Sequence, residues 1–341
     1  TEIAIGGEFT GFTQKPQPQL TQVGVCNNKG QNCYTLTPVP VQNGPQNLFY
    51  LNGFLYASFL PKNAVPPTIQ IWRYNFAADN PNQEWVNVLN QEADVRSRMA
   101  LFNNSIWLFG SMLIEGTIYG AMQYEQTANS WAAYNANPAY NLTSTEPIVL
   151  VSVSPDTKTA YLTVADETFQ IFKWNDQLKI WSNWTSLTCP NYESALSFGA
   201  YTNGIIVPCN GTLVKLSEQN ISDIGIVVVQ QPFANFVCRT SLLQTLPNEN
   251  SVISFCQQSV GRFATYEIST ATQQQCCGTL SDLSQLVVNM QAYCVYGKKI
   301  FVSGQYQKID TIPANYTMAI WDENYQSWFP VDLPGNATVV T

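Results

Sequence analysis

Aromatic or sulfur-bearing residues recur along this chain in pairs seven positions apart: Cys26/Cys33, Tyr124/Trp131, Trp174/Trp181 and Trp321/Trp328, with Trp72/Trp85 as a wider member of the series. The second members Cys33, Trp85, Trp131 and Trp181 follow one another at 52, 46 and 50 residues, and Trp328 lies 147 further on, three steps of 49. Two degenerate repeats therefore fall between Trp181 and Trp328. A period near fifty is that of a propeller blade, a four-stranded sheet that cannot bury both faces until neighbouring blades stack on it. Seven repeats predict one all-β domain over residues 1–341, a seven-bladed β-propeller of four-stranded antiparallel blades.

The repeat places blade 1 at about 1–40 together with 337–341, and blades 2 to 7 at about 41–92, 93–138, 139–190, 191–233, 234–281 and 282–336. Blade 4 is the clearest. Apolar runs at 147–155, 159–166, 168–174 and 180–187 are separated by Asp-Thr, Asp-Glu and Asn-Asp turns, which reads as four strands and three hairpins. Blade 2 reads as strands at 48–51, 55–60, 68–74 and 84–89. Blade 3 reads as strands at 98–102, 106–111, 119–124 and 131–134. The aromatic pair is lost in blades 5 and 6, where inner strands are expected near 195–201 and 236–243, and blade 7 begins near Val287. No helix is expected.

Only 11% of residues are charged and 13% are aromatic, which fits strands buried on both faces. A net charge of -8 with 15 basic residues argues against nucleic acid, because phosphate binding needs a Lys/Arg surface. No apolar run approaches the length of a transmembrane helix.

N-x-Ser/Thr acceptors occur at Asn103, Asn141, Asn183, Asn210, Asn220, Asn315 and Asn336, none with Pro in the middle position. Seven of them, most at expected turns, read as a secreted glycoprotein, against the blander reading of an unmodified Asn/Thr-rich surface. Nine cysteines fit an oxidising compartment, since no C-x-x-C pair of zinc-ribbon type accounts for them. The absence of a leader before Thr1 is then expected because a signal peptide has been removed.

Blades 1 and 7 share a strand and turn, Ile3-Ala-Ile-Gly-Gly-Glu-Phe-Thr10 and Ile300-Phe-Val-Ser-Gly-Gln-Tyr-Gln307, and blade 7 continues through Pro313-Ala-Asn-Tyr-Thr-Met-Ala-Ile-Trp-Asp322 to Trp328. This resembles the repeat of kelch-type and galactose-oxidase-like propellers, and most closely that of fungal cell-surface polarity-marker propellers. The resemblance implies the fold. In such a repeat Gly7 and Gly304 permit backbone conformations closed to other residues, and the tryptophan pair bridges the third and outer strands of one hairpin. Cys26 and Cys33 stand in blade 1 where the two tryptophans stand elsewhere, so a Cys26–Cys33 disulfide is expected. Cys189–Cys209, Cys238–Cys256 and one of Cys276/Cys277 with Cys294 are the further pairings expected from adjacent strands. Nine is odd, so one thiol stays free or bonds between chains.

The chain has no histidine. That removes His-dependent metal sites and Ser-His-Asp or Cys-His nucleophile systems, and with them a galactose-oxidase-like reaction. Two carboxylates suffice for glycoside hydrolysis, and Glu92, Asp94, Glu115 and Glu193 lie near inner strands or loops, although solvated loop charges are the plainer reading. Five arginines and no Asp-box turn argue against a sialidase-like site. Asp79-Asn80 and Asp322-Glu323 read as turns rather than calcium loops. No cofactor or metal is expected.

The sequence thus predicts a structural or protein-interaction module of a cell surface or extracellular assembly, with other protein subunits or cell-surface glycans as partners. The alternative is a carbohydrate-active propeller, lectin or carboxylate glycosidase. The face shared by strand-two-to-three loops and blade connections should carry Asn141, Asn210, Asn315 and Asn336. Blade 1 enters on its second strand, residues 2–9, and the β-branched segment 337–341 is expected to supply the absent strand. It would do so within its own ring as a latch, or in a neighbour to build a filament.

Overall fold

A computed structural model describes residues 2–9, 21–27, 34–41, 44–61, 64–76, 84–93, 97–135, 148–154, 156–165, 168–188, 198–201, 204–209, 212–217, 227–229, 240–245, 251–256, 262–267, 273–274, 287–296, 299–306, 318–322, 324–325 and 327–330. Every element in them is a β-strand. The first sheet holds β1 (Glu2–Phe9), β2 (Thr21–Asn27) and β3 (Tyr34–Thr35). The next holds β4 (Asn47–Leu51), β5 (Phe54–Phe59), β6 (Thr68–Asn75) and β7 (Val86–Glu92). The third holds β8 (Arg98–Phe102), β9 (Ser105–Ile114), β10 (Thr117–Glu125) and β11 (Ser130–Asn135). Then come β12 (Ile148–Val153), β13 (Ala160–Ala165), β14 (Thr168–Asn175) and β15 (Ile180–Thr188), followed by β16 (Gly199–Tyr201), β17 (Gly204–Cys209), β18 (Thr212–Ser217) and β19 (Val227–Val229). The remaining strands, β20 (Thr240–Thr245), β21 (Ser251–Cys256), β22 (Arg262–Glu267), β23 (Gln273–Gln274), β24 (Val287–Tyr296), β25 (Lys299–Tyr306), β26 (Met318–Asp322) and β27 (Ser327–Pro330), also pair antiparallel in chain order.

This succession of antiparallel meanders is an all-β propeller. Among the described residues the strands pair into six four-stranded sheets and the three-stranded sheet β1–β3, and four blades are shown as such, fewer than the seven that the repeat predicts. The repeat is degenerate where the strands shorten to two or three residues, as in β19 and β23.

The chain divides into two compact units, Thr1–Thr143 with Asn175–Trp181 and Val331–Thr341, and Ser144–Trp174 with Ser182–Pro330. In the first, β5 shows why blades must stack. All of Leu55 to Phe59 is buried: Leu55, Ala57 and Phe59 pack with Val23 and Val25 of β2, while Tyr56 packs on the opposite side with Ile106, Leu108 and Tyr124. Successive strand residues point to opposite faces, so a strand buried at every position needs a sheet on each side. The second unit repeats this logic with Tyr161 and Ile171 against Ala200, Ile205, Val207, Val214 and Leu216.

Blade 3 departs from the sequence reading. β9 runs to Ile114 and β10 starts at Thr117, so both strands extend past the expected limits of Ser111 and Tyr119. A register shift between Tyr119 and Ala121 absorbs one extra residue, and the two-residue turn Glu115-Gly116, with φ of 48° and 79°, closes the longer hairpin. Gly110 lies on the shifted strand, and a Cβ there would stand 2.3 Å from Ser97 Oγ. Gly7 and Gly304 also sit at register shifts, one between Gly6 and Phe9, the other between Met290 and Ala292, opposite Gly304 and Ser303. The expected fourth strand at 337–341 lies outside the described residues.

Candidate functional site

The repeat aromatics come first, because they position what surrounds them. Tyr124 and Trp131 are cross-strand partners with ring centroids 5.2 Å apart, and Trp321 faces Trp328 in the same way along the backbone. Trp174 and Trp181 lie on the neighbouring strands β14 and β15. The pair Trp72/Trp85 is corrected: Trp72 faces Asn87, and the ring beside Trp85 is Tyr74, at 5.3 Å. The register shift between Ile71 and Trp72 moves the partner of Trp72 from Val88 to Asn87, still two residues short of Trp85. The sequence also missed a second task of these tryptophans. Trp131 Nε1 donates to Val88 O at 2.8 Å, so the outer-strand indole of one blade ties the outer strand of the blade before it. Trp181 Nε1 donates to Gly120 O at 3.4 Å, reaching the third strand, β10, of the blade before it.

A four-stranded meander gathers its first and third turns at one end and its second turn at the other. In the first unit the former end carries Asn52-Gly53, Asn103-Asn104 and the turn through Gln126 and Asn129, with positive φ at Asn52, Asn103, Asn104 and Asn129. Asn and Gly accept that conformation cheaply, and paired positive φ values match the twist of the flanking strands. Asn52 Nδ2 donates to Gln126 Oε1 at 3.3 Å, joining two blades at the rim.

Below that rim Arg73 and Tyr56 are cross-strand partners in blade 2, and Tyr124 approaches from blade 3. Arg73 Nη1 donates to Tyr124 Oη at 2.8 Å, Tyr124 Oη donates to Asn129 Oδ1 at 2.6 Å, and the guanidinium stands 4.8 Å over the Phe54 ring. The rings of Tyr56 and Tyr124 meet edge to face at 5.8 Å. Burial pushes the Tyr56 hydroxyl up to about 12, and Tyr124 adds to the rise while Arg73 opposes it. Tyr124 is raised for the same reason, with Arg73 again in opposition. Arg73 is thus close enough to act on Tyr56, yet Tyr56 Oη is fully buried with no hydrogen bond of ordinary geometry. This polar cluster joins two blades, and nothing in the sequence singles it out beyond one arginine in an aromatic strand.

A second cluster lies at the same end. Lys179 pairs with Asp176 at 2.6 Å and stands 5.0 Å from the Trp107 ring centroid and 5.5 Å from that of Tyr134. Asp176 Oδ2 accepts from Asn103 Nδ2 at 3.0 Å, the nitrogen that a glycan would occupy. In the second unit Lys215 stands 5.8 Å over the Tyr201 ring, and burial lowers its pKa.

Of the acceptor asparagines, Asn103 is exposed in a turn and Asn183 is exposed on the outer strand β15. Asn141, Asn210, Asn220, Asn315 and Asn336 lie outside the described residues. Among the cysteines, Cys26 faces Ile3, Cys209 faces Thr212, Cys256 faces Thr240 and Arg262, and Cys294 faces Phe301 along the backbone. Cys33, Cys189, Cys238, Cys276 and Cys277 lie outside them. Glu92 ends β7 and Glu115 occupies the β9–β10 turn, while Asp94, Glu193, Asp79, Asn80 and Glu323 are not described. Asp322 is buried, pairs with Lys299 at 3.3 Å and accepts from Asn324 N, as a turn residue does. Among the described residues no group of three His, Cys, Asp or Glu side chains could hold a metal ion, and no helix is long and apolar enough to cross a membrane.

Neither a family model nor a curated protein sequence matches the chain. Solved structures do. A candidate 6-phosphogluconolactonase from Bacteroides fragilis aligns over 99% of this chain and 95% of its own, with a TM-score of 0.60 and 12% identity. One from Bacteroides uniformis aligns over 99% and 96%, with a TM-score of 0.60 and 13% identity. A prolyl endopeptidase aligns over 96% of this chain but 48% of its own, with a TM-score of 0.62 and 12% identity. At such identities the likeness is one of fold.

Proposed function

We propose that the chain is a secreted, N-glycosylated, seven-bladed propeller of the kelch-like kind that works as a structural or protein-interaction module of an extracellular assembly. The carrying observation is an exposed apolar tip. Leu113 and Ile118 are cross-strand partners at the end of the β9–β10 hairpin, 37% and 36% exposed, and Val65 is 94% exposed in the connection between β5 and β6 of the neighbouring blade. Both lie at the end where strand-two-to-three connections gather, and apolar groups collected there suit a protein partner. Segment 337–341 would add a fourth strand to the sheet β1–β3, from the same chain or from a neighbouring subunit.

Sedimentation of the protein secreted from a eukaryotic host tests the reading. Concentration-dependent association is expected, weakened at least tenfold in Leu113→Asp/Ile118→Asp. A wild-type chain that stays monomeric and shows no mass change on glycosidase treatment would overturn it. The names of two structural neighbours favour a second reading, hydrolysis of a sugar lactone, in which Glu92 and Glu115 would share one end of adjacent blades. Turnover of 6-phosphogluconolactone that falls in both Glu92→Gln and Glu115→Gln would establish that reading instead.

A further inference from the structure

The outer strand of a blade ends its sheet, and the described outer strands guard that edge unequally. A free edge presents unpaired N–H and C=O groups to any strand that reaches it, and proteins blunt such edges with short length, charge or proline. β3, β19 and β23 are two or three residues long, β27 ends in Pro330, and β7 ends in Glu92. β11 has Lys179 beside its Tyr134 ring, 5.5 Å away. β15 has none of these devices. It is the longest of the described outer strands, and Ile180–Thr188 contains neither a charged residue nor a proline. Its second half is also held in place, because Trp184 and Leu187 pack against the core around Tyr161, with the Trp184 and Tyr161 rings 5.3 Å apart. What that half does carry is the acceptor Asn183-Trp184-Thr185, with Asn183 exposed.

We infer that the edge of β15 over residues 182–188 pairs antiparallel with the same edge of a second copy of this chain, and that a glycan on Asn183 is what prevents it. A pairing strand must come within about 4.8 Å, closer than a bulky sugar on the strand allows. A second copy is the occupant that the strand itself fits: it has the same length, and an uncharged edge set against itself about a twofold axis meets no like charge. This inference rests on the glycosylated reading above, and it uses none of the residues of the Leu113–Ile118 tip.

Sedimentation of the full chain secreted from a eukaryotic host tests it, in the Leu113→Asp/Ile118→Asp background so that association through the tip is removed, with peptide mapping of the sugar at Asn183. The parent should be monomeric. Asn183→Gln, which loses the sugar and stays uncharged, should associate at least tenfold more tightly. Adding Ser186→Lys/Thr188→Lys should restore the monomer, because both positions are exposed and lysines there bring like charges together in the pair. Ser105→Ala, which removes only the acceptor at Asn103, should leave the parent monomeric. The inference falls if Asn183→Gln stays monomeric, which would leave the edge to a foreign strand or to none, if the lysines fail to abolish the association, or if Ser105→Ala associates equally. If mapping finds no sugar on Asn183, the glycosylated reading fails at this site, and the parent itself should then associate through the lysine-sensitive edge; a sugar-free parent that is monomeric overturns the inference as well.

Discussion

Two blade seams, one in each compact unit, solve the same packing problem with different chemistry. The seam of the first unit, between β4–β7 and β8–β11, mixes Ile69, Ile71, Met99 and Met112 with an arginine, two tyrosines and four links across blades: Arg73 to Tyr124, Asn52 to Gln126, Gln91 to Leu113 O, and Trp131 to Val88 O. The seam of the second unit is close to a plain hydrocarbon core of Ile171, Ile205, Val207, Val214 and Leu216, with the polar link from Ala200 N to Ser152 Oγ. Stacked sheets need apolar area and a matching register, and both seams have them. Among the described residues the first seam carries a charged group, Arg73, between its blades, while the second unit keeps its cation, Lys215, over the Tyr201 ring.

The largest expected effect strikes each unit within one sheet, at a close approach between neighbouring strands. A Cβ on Gly204 would stand 2.0 Å from Leu216 O and 2.7 Å from Tyr201 Oη, whereas one on Gly110 would meet Ser97 Oγ at 2.3 Å and Ser97 Cα at 2.6 Å. Chemical denaturation should show a loss of about 3 kcal/mol or more for each alanine variant. Gly204→Ala should be the worse of the two, because a strand carbonyl cannot rotate aside as a serine hydroxyl can. Equal and small losses would mean that the strands separate more readily than the two approaches imply.

A smaller effect sharpens the contrast between the cores. Ile205→Ala removes buried hydrocarbon from the second seam and should cost roughly 2–5 kcal/mol. Tyr124→Phe leaves an Arg73 N–H and Asn129 Oδ1 without their partner and should cost about 1–2 kcal/mol. Tyr56→Phe removes a hydroxyl that bonds to nothing and should be close to neutral. A cost as large as that of Tyr124→Phe would show that the Tyr56 hydroxyl has an acceptor after all.

The smallest effect appears only in alkali, and it has opposite signs in the two units. The folded state holds the Tyr56 proton to about pH 12, while the unfolded chain releases it near 10. That contribution is therefore complete below pH 10 and is lost as pH climbs toward 12. Lys215 runs the other way: burial lowers its folded pKa below 10.5, so the unfolded chain binds the extra proton in that window and stability gains as pH rises through it. Denaturation midpoints between pH 9 and 12 should fall less steeply in Tyr56→Phe than in wild type, and Lys215→Gln should remove the opposing gain. A Tyr56→Phe profile parallel to wild type would contradict the raised hydroxyl.

Blade 4 was legible almost residue for residue, because its turns carry Asp and Asn and its strands are apolar runs of strand length. Blade 3 was misjudged at the β9–β10 end because a bulge carries no compositional signal and Glu-Gly is a weak turn word beside Asn-Gly. Counting pairs Trp72 with Trp85, whereas the register of the hairpin sets Asn87 opposite Trp72 and leaves the Tyr74 ring beside Trp85. The Arg73 cluster was invisible for a different reason: its members are 17 and 51 positions apart, and only stacking two blades brings Tyr56 and Tyr124 to the same guanidinium.

The sequence by itself determined the all-β propeller architecture, since a period near fifty with apolar strands on both faces has few other ways to bury itself. It also determined the absence of histidine chemistry. The tertiary structure alone decided which polar groups meet, because contacts between blades depend on register and twist, and a shift of one residue moves every side chain of a strand to the other face. That is why Trp131 could be read as one half of a pair but not as a tie to Val88, and why a solitary arginine in β6 became a link between two blades only once Tyr124 was placed beside it.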